Sequence, residues 1–428
     1  MPPLPLPRLS SRAQAMKASE IRELLKLVSR PSMISFAGGI PDPALFNVGM
    51  FQDAYRDAFA GPSIAREALQ YSTTEGYLPL RQWIADRMGQ SGVKAGADNI
   101  LITSGSQQAL DLIGKLLLDA GDTVVTARPT YLGALQSLSA FEPTFAPLDA
   151  EHRTGSDAPK MLYLVPDFAN PDGRTMSVAA RHDALALADR LGAIIVEDGA
   201  YSALRYEGED LPPIAALDQQ RAGSIEATRT LYCGTFSKTL SPGLRIGWIC
   251  GPATLIRRLT LMKQGADLHT ATINQIVMHH AAVACFDVQV ERSRAIYRVR
   301  RDAMLAALGR YAPAGTTWSR PQGGMFIWLQ MPAHIDAACL LEQAIRSDIA
   351  FVPGGAFFPD GTGRNTMRLS FSLCDEAQIE IGIFKLCGLI NAHAPARPLV
   401  VNACSALLCS ALLCCTTAPS NPPRCPRT

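Results

Sequence analysis

Lys238 is the residue of this sequence with the clearest chemical potential, because it follows directly on an apolar, strand-like run. It stands in Thr235-Phe236-Ser237-Lys238-Thr239-Leu240-Ser241-Pro242-Gly243-Leu244-Arg245. Burial disfavours an ammonium, so such an amine loses its proton more readily and becomes a nucleophile that forms Schiff bases with aldehydes. The hydroxyls of Thr235 and Ser237 and the guanidinium of Arg245 suit a phosphate ester. An isolated Ser-Lys pair would read as a surface lysine at a strand end, so its company carries the reading.

Gly105-Ser106-Gln107 lies between a strand-like run and an amphipathic helix, where free backbone N–H groups and the helix dipole favour phosphate. Asp198, after AIIVE, is placed to hold a protonated ring nitrogen or to cap a helix. Tyr201, and Asn170 in Asn170-Pro171-Asp172-Gly173, are candidates for a ring hydroxyl; Tyr131 in PTYLGAL either stacks on a ring or packs in a core. Arg368 sits inside the apolar pattern NTMRLSFS and calls for a bidentate carboxylate, a substrate's or a structural partner's. The set suits a phosphorylated pyridine aldehyde and a carboxylate-bearing substrate.

The elements that must position these groups are legible from about Asn99 to Gly251. NILITSG, DTVVTARP, KMLYLVPDF, GAIIVEDGAY, TLYCGTFSK and RIGWICG have strand length, and SQQALDLIGKLLLDAG puts Leu110, Ile113, Leu116 and Leu117 on one helical face. This alternation predicts a mostly parallel sheet covered by helices, with ligands beyond the carboxyl ends of the strands. An Arg- and Ala-rich helical region follows to about Tyr311, then a second α+β segment with GGMFIWLQM, IAFVPGG and NTMRLSFSL.

Forty basic against 38 acidic residues give a net charge of +2, which predicts no nucleic-acid partner and no polybasic membrane anchor. Cys233, Cys250, Cys285, Cys339, Cys374 and Cys387 are scattered singly without metal-ligand spacing, which predicts buried thiols in a reducing compartment and no metal. The other five of the 11 cysteines fall in the last 38 residues, whose apolar stretch from Leu399 to about Leu413 is shorter than the roughly 20 residues of a membrane span. Prolines interrupt the N-terminus where a signal peptide needs a continuous apolar segment.

In the order phosphate turn, stacking Tyr, Asn, Asp-x-x-Tyr, Ser-Lys, Arg and distal Arg, the chain resembles the class I aminotransferases of pyridoxal-phosphate fold type I. The likeness is greatest to the branch of 2-aminoadipate and kynurenine/aminoadipate aminotransferases. It runs from about Ala18 to Ile390 through SFAGGIPDP, LQYSTTEGYLPLR, ITSGSQQALDL, EDGAYSALRY, GTFSKTLSPGLRIGW, QGADLHTATINQ and MRLSFS. The resemblance implies a seven-stranded large domain over 46–290 and a smaller α+β domain over 291–390. It also implies an arm over 18–45 near the active site; a flexible extension (1–17) precedes the arm, and an atypical tail (391–428), expected from its composition to be disordered, follows the small domain.

It further implies ping-pong transamination with pyridoxal 5'-phosphate, in a homodimer of the cytoplasm, between an L-amino acid and a 2-oxo acid such as 2-oxoglutarate. Lys238 would bind the cofactor covalently and shuttle the proton, Asp198 would hold the ring nitrogen, and Asn170 and Tyr201 the phenolic oxygen, with Tyr131 stacking. Ser106, Gln107, Thr235 and Arg245 would hold the phosphate, with Ser237 as an extra donor and Tyr71 reaching in from the neighbouring chain. Arg368 and Asn170 would clamp the α-carboxylate, Gly39 would line the pocket, and Arg22 would read an acidic side chain or swing aside. Two departures stand out: Asp172 where relatives have Thr, and Gly199 where they often have Asp. A decarboxylase or lyase of the same fold type, or a regulator carrying an aminotransferase-like domain, are the competing readings.

Overall fold

The computed structural model describes residues 9–15 and 32–393. The expected extension is thus described only over 9–15, where Ser11–Ala15 is helical, and the tail beyond His393 lies outside the described residues. A two-residue strand, β1 (Ile34–Ser35), opens the second described stretch. The main sheet follows, built from β2 (Ile100–Thr103), β3 (Thr123–Thr126), β4 (Thr144–Pro147), β5 (Met161–Leu164), β6 (Ile194–Asp198), β7 (Thr230–Thr235) and β8 (Gly247–Cys250). Its spatial order is β2-β8-β7-β6-β5-β3-β4. Strands β2, β5 and β7 are buried along their whole length, which is why ILIT, MLYL and TLYCGT read as continuous apolar runs without alternation. The edge strand β4 lacks that signature and escapes the sequence reading.

Every neighbouring pair is parallel except those of β8, which runs antiparallel to both β2 and β7. This one reversal matters for the site. The carboxyl ends of β2, β5, β6 and β7 share one edge of the sheet, and the amino end of β8 arrives at the same edge, bringing Arg245 to Lys238.

A second sheet, antiparallel and ordered β12-β13-β10-β9, is formed by β9 (Thr317–Trp318), β10 (Phe326–Gln330), β12 (Val352–Pro353) and β13 (Thr366–Ser370). Arg368 occupies the middle of β13, opposite Trp328 and Val352. Strand β11 (Ile349–Ala350) pairs in parallel with β1, which ties residues 34–35 to this part of the chain. The helical region after Gly251 is two helices, Ala253–Gln264 and Thr272–Tyr311; the second, 40 residues long, passes unbroken through position 290 and packs against Val48–Ala58, Leu78–Gln90 and Glu376–Ala392.

Four of the six described cysteines are buried, as expected. Cys285 is only partly covered and Cys339 is exposed on the helix Ala337–Arg346, because a small apolar side chain on the outer helical face costs little to leave in water. Among the described residues, no helix is long and apolar enough to cross a membrane and no cluster of His, Cys, Asp and Glu could hold a metal.

Candidate active site

Lys238 lies three residues beyond β7, and its ammonium nitrogen donates to Gly39 O at 2.8 Å, 5.8 Å from the centre of the Tyr201 ring. Burial, then the neighbouring Arg368, lower its pKa from 10.5 to about 8, against the opposing pull of Asp198. Asp198 ends β6. Tyr163, one strand away on β5, donates to Asp198 Oδ2 at 2.7 Å, and Ala200 N donates to Oδ1 at 3.2 Å. Burial raises the Asp198 pKa, while these two hydrogen bonds and Lys238 restrain the rise.

Asn170 bridges two groups that are far apart in the chain, Tyr201 and Arg368. Its Oδ1 accepts from Arg368 Nη1 at 2.8 Å, and its Nδ2 points to Tyr201 Oη at 3.4 Å. Arg368 Nη2 donates to Ala37 O at 2.7 Å, and the guanidinium packs over Phe326 and Phe357 at 4.3 and 5.3 Å. Its Nε is buried without a partner, and among the described residues no carboxylate pairs with it. Burial lowers its pKa to about 10, so it remains a cation at neutral pH. Of the two readings left open for Arg368, the structural ion pair finds no partner among the described residues. Gly39 lines the same space: a Cβ there would lie 2.9 Å from Phe326 and 3.7 Å from Arg368 Nη1.

The other end of the site is built on the turn after β2. Gly105 has φ +87°, a left-handed backbone conformation that favours glycine, and a Cβ on it would displace the Arg245 guanidinium from the turn. It opens the helix Ser106–Leu117, which has no side-chain cap, leaving the first N–H groups without intrahelical acceptors. Gly247, at the start of β8, lets that turn lie directly on the strand; a Cβ would meet Gly105 C and Ser106 N at 2.8 Å. Arg245 is anchored through Nη1 to Pro242 O at 3.1 Å and Nη2 to Ser104 O at 3.5 Å. Thr235 Oγ1 donates to Ser237 Oγ at 2.9 Å and also accepts from Ser237 N. Gln107 turns its side chain away, to Gly133 O at 2.8 Å, so its backbone N–H is the group it offers to this turn.

Tyr131, at the start of the helix Leu132–Leu138, lies within electrostatic reach of Tyr201, Tyr163 and Arg368. Tyr71 stays apart, 77% exposed, with its ring against the edge of His269. Arg22 lies outside the described residues.

Both departures have a structural account. Asp172 folds back onto its own loop, accepting from Arg174 N at 3.0 Å, and so directs its carboxylate to Arg174. A Cβ on Gly199 would lie 2.1 Å from Tyr232 Oη, so the tyrosine on β7 fills the room a side chain would need. Tyr163 went unremarked in the sequence, where MLYL shows only a buried strand; its partner Asp198 is 35 residues away.

The donor set fits a phosphorylated pyridine aldehyde: a softened amine, a buried carboxylate without a salt-bridge partner among the described residues, a helix N-terminus beside an arginine, and a carboxylate-seeking guanidinium. Fold and site define a pyridoxal-phosphate-dependent enzyme of fold type I. The family model for aminotransferase class I and II matches residues 52–386, and the chain belongs to that family. It is 41% identical over 400 residues to aromatic-amino-acid aminotransferase 1 of Thermococcus litoralis, covering 89% of this chain and 94% of that one. It superimposes on the kynurenine aminotransferase of Pyrococcus horikoshii with a TM-score of 0.83 at 40% identity, covering 91% and 98% of the two chains. With the α-aminoadipate aminotransferase of Thermus thermophilus, solved with N-(5'-phosphopyridoxyl)-L-leucine, the TM-score is 0.81 at 37% identity, covering 90% and 97%. The protein is a transaminase, and its cofactor is pyridoxal 5'-phosphate.

A pH prediction follows from Lys238. Only the neutral amine attacks an aldehyde, and with a pKa of about 8 roughly one molecule in ten carries it at pH 7, against roughly one in three thousand for an ordinary lysine. Uptake of pyridoxal phosphate by the apoprotein, followed in the visible spectrum, is expected to quicken with pH and level off above about pH 8. A rate still climbing at about pH 10 would mean that the amine is solvated like a free lysine. Because the folded-state pKa lies below the unfolded one, the unfolded chain binds more protons between them, and this group makes the folded apoprotein more stable as pH rises through that window.

Proposed function

We propose that this aminotransferase takes the amino group from an L-amino acid of the 2-aminoadipate, aromatic or branched aliphatic type and passes it to a 2-oxo acid, 2-oxoglutarate foremost. The observation that carries the reading is Arg368: a buried cation with an unpaired Nε, hydrogen-bonded to Asn170 and adjacent to the Lys238 amine. Such a group binds a carboxylate wherever one can enter, and amino and oxo acids share that carboxylate. The names of the relatives support the donor classes.

Pyridoxal phosphate, when bound, supplies the aldehyde carbon that takes the amine and a ring that withdraws electrons from the substrate Cα. The chain does the rest. Arg368 and Asn170 hold the α-carboxylate and so present the Cα hydrogen to Lys238. Lys238 takes that proton and returns it on the other side of the reaction, as base and then acid, a role suited to an amine whose pKa of about 8 lies near neutral pH. Asp198, steadied by Tyr163, keeps the ring nitrogen protonated. Tyr201 and Asn170 bond the phenolic oxygen, and Tyr131 covers the ring. Ser106, the Gln107 N–H, Thr235, Ser237 and Arg245 hold the phosphate.

The working unit in this reading is a cytoplasmic homodimer, with a large domain over 46–290 and a smaller one over 291–390. Tyr71, Leu69 and Leu78, 77%, 76% and 59% exposed, support a covering second chain, since large apolar side chains so close in sequence rarely all face water. Arg22 would read the donor's side chain.

Incubation of the purified holoenzyme with a panel of L-amino acids and 2-oxoglutarate tests the reaction. Glutamate is expected to accumulate with 2-aminoadipate, aromatic or branched donors. Release of carbon dioxide without any new amino acid across the panel would sink the proposal.

A further inference from the structure

Lys263, on the helix Ala253–Gln264, is 0% exposed and lies outside the groups assigned above. Burying an ammonium costs several kcal/mol unless its protons find acceptors, so its surroundings are informative. Its Nζ donates to Asp267 Oδ1 at 2.7 Å, to Asp267 Oδ2 at 2.8 Å and to Gln108 Oε1 at 2.9 Å. Both acceptors in turn grip Ser104. Gln108 Oε1 accepts from Ser104 N at 2.8 Å, and Asp267 Oδ2 accepts from Ser104 Oγ at 3.1 Å. Gln108 Nε2 closes the ring by donating to Asp267 Oδ2 at 2.7 Å, and Thr270 Oγ1 lies 3.2 Å from Ser104 Oγ. With Arg245 on its carbonyl, Ser104 is held at its N–H, its hydroxyl and its C=O.

Ser104 is the residue immediately before Gly105 and Ser106. A turn that presents free N–H groups to an anion must hold them in place before the anion arrives, or binding has to supply the ordering. The lysine is matched by Asp267, so the pair adds little net charge toward the turn; what it adds is geometry. We propose that Lys263, with Asp267 and Gln108, is a positioning residue that pre-orders the Ser104-Gly105-Ser106 turn for the cofactor phosphate. The inference rests on the phosphate reading of that turn given above.

The test compares two probes that differ only in the phosphate. Apoprotein, wild type and Lys263→Met, is titrated with pyridoxal phosphate and with pyridoxal, reading the visible absorbance. In the variant the affinity for pyridoxal phosphate is expected to fall about tenfold, the size of one well-placed hydrogen bond, with that for pyridoxal unchanged. Ser104→Ala, which leaves the buried ion pair intact and removes only its hydroxyl link to the turn, is expected to shift the same ratio in the same direction, and it decides the matter if Lys263→Met does not fold. An equal loss for both probes, or no loss for either, would overturn the proposal. If wild-type apoprotein itself binds the two probes alike, the phosphate reading fails and takes the proposal with it.

Discussion

Lys238→Ala is expected to lower transamination by at least about four orders of magnitude and to abolish the pH-dependent visible band of the purified protein. Two functions leave with one amine. Nucleophilic attachment of the cofactor is lost outright, and so is the proton carrier at the substrate Cα, for which general acid–base catalysis alone contributes about 10²–10⁴. Lys263, the one lysine of the described residues that is fully buried, has all its acceptors in the brace behind the turn. Retention of a borohydride-reducible adduct in the variant would assign the attachment to another amine. The same variant tests the shared site. If Tyr71 serves the partner, refolded mixtures of Lys238→Ala and Tyr71→Ala chains contain hybrid dimers with one intact site, and activity recovers toward about a quarter of wild type. No recovery would mean that Tyr71 serves its own chain or none.

Asp198→Asn is expected to lower kcat by about a thousandfold with little change in KM, measured with the holoenzyme under saturating cofactor. The asparagine keeps the shape and still accepts from Tyr163, so what it removes is the charge opposite the ring nitrogen. That charge counts chiefly when electrons flow from the substrate Cα into the ring. Loss of one preorganised electrostatic group costs about 10²–10³ or more in kcat, and an interaction felt only in the transition state leaves KM alone. A rise in KM with kcat preserved would recast Asp198 as a binding group. The surroundings argue otherwise: Asp198 is buried, has no salt-bridge partner among the described residues, and accepts hydrogen bonds from Tyr163 and Ala200 that favour its ionised form.

How much of this was legible in the sequence differs from residue to residue. Lys238, Asp198, Asn170 and the Gly105 turn were legible because each follows an apolar run, and in a parallel sheet the ends of such runs share an edge. Arg368 was legible as a cation inside an apolar pattern, but its choice between a substrate and a structural carboxylate was not, since that depends on which carboxylates the fold brings near. The readings of Cys285 and Cys339 as buried were wrong, because a lone cysteine between apolar residues says nothing about which way a helix faces.

The sequence by itself determined the chemistry: the types of the reactive groups, their order and their attachment to strand ends, all set by patterns a few residues long. Only the tertiary structure decided which groups touch. Strand β8 runs against its neighbours and so delivers Arg245 to the edge where Lys238 stands. Tyr163 reaches Asp198 because β5 and β6 are adjacent, and Arg368 meets Asn170 across 198 residues of chain. The carbonyls of Ala37 and Gly39 receive Arg368 and Lys238 although the glycine-rich segment that bears them carries no reactive side chain. The physical reason is common to all of these: periodicity and propensity are local, whereas a hydrogen bond between distant residues exists only after burial of the whole core has brought their elements together.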